Sequence, residues 1–144
     1  MVSFRLTAIR YSFACGALLL LSGFAPAADS FPFDQNLVFE AKPMPPVKRV
    51  PILIVEPNGD ATIGLWCKTV RGRVDVTASE MHIDSNPLPE VLPQYMASGQ
   101  CTDERMKADQ STLDALKQVT GWRRYGSVIV LNGTEPVKFR PGDN

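Results

Sequence analysis

Residues 52–67 read Ile-Leu-Ile-Val-Glu-Pro-Asn-Gly-Asp-Ala-Thr-Ile-Gly-Leu-Trp-Cys, and the reading of this stretch decides the fold. Two apolar, β-branched runs, Ile52 to Glu56 and Ala61 to Cys67, flank Pro57-Asn58-Gly59-Asp60. Asn-Gly supplies the positive φ of a tight turn whose twist matches its flanking strands, so the segment predicts an antiparallel hairpin. Alternation along the second arm places Ile63, Leu65 and Cys67 on one face and Thr62, Gly64 and Trp66 on the other. Cys67 is therefore expected to point into the core.

Working outward toward the C-terminus, Arg73 to Thr77 and Met81 to Asp84 alternate around a turn near Ala78 and Ser79. This is a second hairpin, with Val74, Val76, Met81 and Ile83 inward and His82 outward. Residues 86–100 hold Pro87, Pro89, Pro93 and Gly99 and read as a loop with one turn of helix near Val91 and Leu92. A structureless connection of that length in a small domain marks a lid or a partner-contact segment. Past Cys101, Thr102 is suited to cap a helix, and Asp103 and Glu104 favour its positive end. Met106, Leu113, Leu116 and Val119 then recur at helical spacing until Gly121, predicting one amphipathic helix over 103–120. Strands follow at Trp122 to Tyr125, Ser127 to Leu131 and, after the Asn132-Gly133 turn, Pro136 to Arg140.

Toward the N-terminus, residues 28–50 form a proline-rich arm with one strand, Leu37 to Glu40, ahead of Pro43, Pro45 and Pro46. Proline near a strand favours an edge position, so an edge strand and an extended connection are expected. Strands, then one helix, then strands, with no repeat or low-complexity tract, give a mainly β (α+β) class. The expected architecture is an antiparallel β-barrel or half-barrel with one amphipathic helix over an opening.

The first ten residues carry Arg5 and Arg10 and no acid, and Tyr11 to Phe24 is an uncharged run of about 14 residues. Small residues follow at Ala25-Pro26-Ala27, so a signal peptide over 1–27 cut after Ala27 is expected. The apolar run falls short of the roughly 20 residues of a spanning helix. Cys15 precedes Leu18 to Leu21 rather than following them, which does not suit lipidation, and it leaves with the signal. The mature chain keeps Cys67 and Cys101, an even count suited to an oxidising compartment. Removing Arg5 and Arg10 leaves 13 basic residues against 15 acids, a balance that speaks against DNA or RNA as partners.

Residues 51–144 read as the main domain, and their motifs carry a resemblance. The turn Pro57-Asn58-Gly59-Asp60, the segment Gly64 to Cys67, Gly72, the run Cys101-Thr102-Asp103-Glu104 and the helix core Leu113 to Leu116 follow one another in order. This layout resembles the META domain (HslJ-like) family, as a divergent member. The family has glycine directly before the first cysteine and asparagine directly after it, where this chain has Trp66 and Lys68. The resemblance implies a barrel architecture and an envelope setting, with stress tolerance as the context, rather than a molecular activity.

The polar residues admit several chemical readings, each beside a bland one. Cys67 and Cys101 suit a structural disulfide, which across 34 positions would stabilise by about 4 kcal/mol in the loop-entropy model. A redox pair sits closer in sequence, and with His82 the two cysteines supply only three of the four ligands of a closed zinc site. His82 is the sole histidine and no Gly-x-Ser-x-Gly occurs, which argues against a Ser-His-Asp hydrolase. Asp75 and Asp84 lie across the second hairpin as a carboxylate pair on paper, though solvated acids are commoner there. Lys68, Arg71 and Arg73, with Arg123 and Arg124 if their strands are adjacent, are a candidate basic face for an acidic partner. Trp66 is a further candidate contact, if exposed in a groove, and Trp122 is the alternative.

The expectation is therefore a non-enzymatic periplasmic or secreted protein without cofactor or metal, acting by binding an unknown envelope protein or small ligand. Two other functions fit the same residues: a hydrolase-inhibitor module inserting the 86–100 loop, and a carrier of a small apolar ligand inside the barrel.

Overall fold

The computed structural model describes residues 30–142. The expected signal segment and its cut after Ala27 lie outside the described residues.

The apolar run after the proline-rich arm forms the hairpin that the Asn-Gly turn calls for. Strands β1 (Leu37–Phe39), β2 (Ile52–Val55) and β3 (Asp60–Gly64) precede β4 (Thr69–Val76) and β5 (Met81–Ser85). Gly59 turns the β2–β3 hairpin at φ +89, a backbone region where a Cβ would be strained. The Asp60 amide donates to Asn58 Oδ1 at 2.9 Å and closes the turn locally. Two helices, α1 (Pro93–Ala97) and α2 (Asp103–Lys117), lead to β6 (Gly121–Tyr125), β7 (Val128–Asn132) and β8 (Val137–Pro141).

The eight strands make one sheet in the order β5-β4-β3-β2-β1-β8-β7-β6, and every neighbouring pair is antiparallel. Its two ends meet at a single bridge, Glu80 to Gly121. The Trp122 amide donates to the Ser79 carbonyl at 3.0 Å and the Met81 amide to the Thr120 carbonyl at 3.2 Å across the same corner. The result is a nearly closed antiparallel barrel, as expected. The helical connection between β5 and β6 spans the gap that the bridge leaves, with α2 packed against β5.

One expectation is corrected here. β1 is an interior strand, between β2 (Leu37 opposite Leu53) and β8 (Leu37 opposite Pro141). The prolines that suggested an edge lie beyond its last residue, so both of its sides keep free amides and carbonyls. Only a strand with two open sides can join the N-terminal hairpins to the three C-terminal strands.

The barrel interior is filled by side chains from all the strands: Leu37, Leu53, Ile63, Ile129, Leu131 and Phe139 are among those fully or almost fully buried. Leu113 and Leu116 of α2 join the same cluster. Phe31 reaches it from before β1 and stacks edge-on against Trp122, ring centroids 5.2 Å apart.

Candidate functional site

The alternation of β3 stops at Gly64, and Leu65, Trp66 and Cys67 are all buried. The chain turns there, with the Leu65 amide donating to the Lys68 carbonyl at 2.7 Å. α2 covers the side that a continuing strand would have left to solvent. Trp66 is thereby 6 % exposed, its indole N–H donating to Thr112 Oγ1 at 3.1 Å. That corrects its candidacy as a partner contact. Trp122 is buried as well, with its indole on the Thr77 carbonyl.

Cys67 and Cys101 are joined as a disulfide, with Cα atoms 5.2 Å apart, within the usual range for a bridge. Joined to each other, neither offers a thiolate to a metal. His82 stands exposed on β5, opposite Asp75. Asp84 is opposite Arg73, so the register does not set Asp75 and Asp84 face to face. Among the described residues no group of three or more His, Cys, Asp or Glu is placed to hold a metal ion.

Beneath the disulfide lies a pair of buried charges. Thr102 caps α2, its hydroxyl accepting from the Arg105 amide at 3.3 Å. One turn in, the fully buried Arg105 guanidinium donates to four backbone carbonyls, those of Gln100 (2.9 Å), Met44 (2.6 Å), Val47 (3.3 Å) and Trp66. Asp109, also fully buried, accepts the Cys67 amide at 3.0 Å and the Lys68 amide at 2.9 Å. Together they bind three stretches of chain that no strand ladder holds: the arm before β2, the 65–68 turn and the end of the 86–101 segment. Burial raises the Asp109 pKa, and the amides it accepts from oppose that rise. Burial also lowers the Arg105 pKa, against the pull of Asp109.

Both residues escaped the sequence reading, which counted only apolar positions on the helix. Arg105 and Asp109 lie on the same stripe as Leu113 and Leu116, at i, i+4, i+8 and i+11. Two opposite charges four apart on the buried stripe of an amphipathic helix were the available signal.

Above this floor the 86–101 segment folds over a cleft of about 280 Å³. The disulfide, Arg49 and Lys68 line one side, and Glu90, Leu92 and Tyr95 the other. The expected turn near Val91 and Leu92 is α1, one turn further on, with Pro93 at its first position. α1 buries no residue. It is tied instead through its backbone, the Cys101 amide donating to the Tyr95 carbonyl at 2.9 Å. Leu92, Tyr95 and Met96 are 53 %, 41 % and 48 % exposed, and the fourth large exposed apolar residue among the described residues, Tyr125, belongs to β6.

The basic candidates divide. Lys68 lines the cleft, whereas Arg71 and Arg73 stand exposed on β4 and Arg73 is paired with Asp60 at 3.1 Å. Arg123 and Arg124 belong to β6, which β5 separates from β4 around the barrel. A single basic face across the five residues is therefore not formed. The residue that the reading missed at the cleft is Arg49, whose guanidinium donates to the Lys68 carbonyl at 3.1 Å and to Thr69 Oγ1 at 2.9 Å.

No family model, curated protein or solved structure matches the chain. Among the described residues, no helix is long and apolar enough to cross a membrane.

Proposed function

We propose that this is an exported, non-enzymatic envelope protein of META-like build, acting in the periplasm or outside the cell by docking a protein partner on α1 and its cleft. The observation that carries the reading is α1 itself. Burial of apolar surface is what holds helices onto domains, yet this helix buries no residue and turns Leu92, Tyr95 and Met96 outward together. Single exposed apolar residues are ordinary, whereas a group on one covalently pinned segment fits an interaction surface. The uncharged run at Tyr11 to Phe24 and the paired cysteines support export, and the ordered motifs from Pro57 to Glu104 support the family resemblance. Stress tolerance is the setting that this resemblance suggests.

A hydrolase-inhibitor module would use the same segment, and the identity of the partner separates it from other binding modules. The carrier reading is weaker, because Leu37, Leu53, Ile63, Ile129 and Phe139 occupy the barrel interior where an apolar ligand would sit.

The test places a photo-crosslinking residue at Tyr95 and, as a control, at His82, which is exposed on β5. Irradiation in the native envelope is expected to give a discrete adduct from position 95 alone, lost when Leu92 and Met96 are changed to Asp. Equal labelling from both positions, or none from 95, would overturn the docking role. A hydrolase in the adduct, blocked by the purified domain, would select the inhibitor reading.

A further inference from the structure

The cleft under α1 has a chemistry more specific than an apolar docking face. Its wall at the 65–69 turn carries two cations, Arg49 and Lys68, and neither forms an ion pair among the described residues. The buried Arg105 lies close enough to Arg49 for their charges to repel, and Asp109 is the buried counter-charge beneath them. Glu90 is the sole acid on the lining. Counting Arg49, Lys68 and Arg105 against Asp109 and Glu90 leaves one positive charge in excess in and beneath the cleft. Arg49 is also oriented: its bonds to the Lys68 carbonyl and Thr69 Oγ1 fix the guanidinium at the rim. The facing wall offers Leu92 and Tyr95, and the disulfide closes the base.

We propose that this cleft receives an acidic peptide segment of the partner, one carboxylate set against Arg49 and Lys68 and a neighbouring apolar side chain against Leu92 and Tyr95. The inference rests on the docking role proposed above and names the chemistry of its partner. Size favours a peptide over a bulkier ligand. About 280 Å³ falls just below the range for sites that enclose a drug-sized molecule, roughly 300–1,000 Å³, and takes one or two side chains. Charge favours an acid over a neutral segment: a guanidinium fixed beforehand loses little freedom on meeting a carboxylate. The apolar wall supplies contact area, and the cations choose among partners and speed the encounter.

The experiment is selection from a random heptapeptide display library on the oxidised full-length mature protein. Three proteins are compared: the wild type, Lys68→Gln and the double variant Arg71→Gln/Arg73→Gln. Lys68→Gln leaves the backbone bonds of residue 68 in place, and a thermal melt checks that it folds. Arg49→Gln, which removes two hydrogen bonds, is the second variant. The expected result is enrichment of sequences with Asp or Glu beside an apolar residue. Selected peptides should bind Lys68→Gln at least tenfold more weakly, bind the Arg71/Arg73 variant unchanged, and weaken at least threefold between 50 and 300 mM salt.

Enriched sequences without an acid, no enrichment at all, or equal binding by Lys68→Gln would overturn the proposal. So would binding of phosphatidylglycerol vesicles in place of peptides. The crosslink from position 95 separates this outcome from the broader reading. An adduct that persists in Lys68→Gln while peptides show no acid preference leaves α1 as a docking helix and removes the carboxylate. Loss of the adduct in the wild type removes both.

Discussion

The hairpins of the barrel and the disulfide corner are built on opposite principles. In β2–β3 and β4–β5 the facing backbone groups meet across a ladder, and the inward side chains, such as Leu53 opposite Ile63 and Val74 opposite Ile83, are apolar. The turns are short and local. At the corner, three chain segments far apart in sequence meet without a ladder, and their carbonyls and amides are satisfied by the side chains of Arg105 and Asp109. Apolar packing is forgiving because many small contacts share the load. A buried polar network is unforgiving, since removing one member leaves the others desolvated and unpaired.

The widest separation between the two regions is expected at Arg105. Arg105→Ala orphans four buried carbonyls, and should cost about 3–5 kcal/mol in a urea melt, since each unsatisfied buried group costs about 1–3 kcal/mol; a cost under about 1 kcal/mol would place the corner on the same footing as the barrel. Next is the disulfide. Cys67→Ala/Cys101→Ala should cost about 2–4 kcal/mol, and hydrogen exchange should accelerate over residues 86–101 while the β2–β3 amides stay protected. Uniform acceleration would mean that the two regions unfold as one.

Asp109→Asn should cost about 1–3 kcal/mol at neutral pH, because an amide accepts one of the two bonds and turns its own N–H toward the other donor. The pH dependence adds a sign. Burial holds the folded-state pKa of Asp109 above its unfolded value, so its contribution is complete below the unfolded value and is lost as pH rises through the raised one. The gap in melting temperature between wild type and Asp109→Asn should therefore be widest near pH 4 and narrow upward from there. A gap that widened with pH would mean that the hydrogen bonds from the Cys67 and Lys68 amides outweigh desolvation.

In the barrel, Ile63→Val should cost only about 0.5–1.5 kcal/mol. Smallest of all, Leu92→Ser/Met96→Ser should shift stability by no more than about 0.5 kcal/mol while removing the crosslink at position 95. A large loss of stability there would make α1 a structural element instead of a docking one.

Much of this molecule was legible along the chain. Asn58-Gly59, the alternation from Arg73 to Ile83 and Thr102 before its helix each act within a few residues, and the structure places a hairpin, a hairpin and a capped helix there. The candidate site was legible only in pieces. Proline spacing singled out 86–100 and the basic run included Lys68, but Arg49 came from the arm, 19 positions away from its hydrogen-bond partner.

Sequence alone determined the elements, the pairing of neighbours in the chain and the antiparallel β class, because turn chemistry and the two-residue period of a strand are short-range properties. Tertiary structure alone decided that β1 is interior, that Trp66 is buried, that Arg71 and Arg73 part company with Lys68, and that two charges on α2 hold the corner together. Each of those depends on what a second segment, distant in sequence, brings to the other side of a residue. A charge on a helix reads as solvated until the carbonyls it will satisfy have been carried to it by the closing of the barrel.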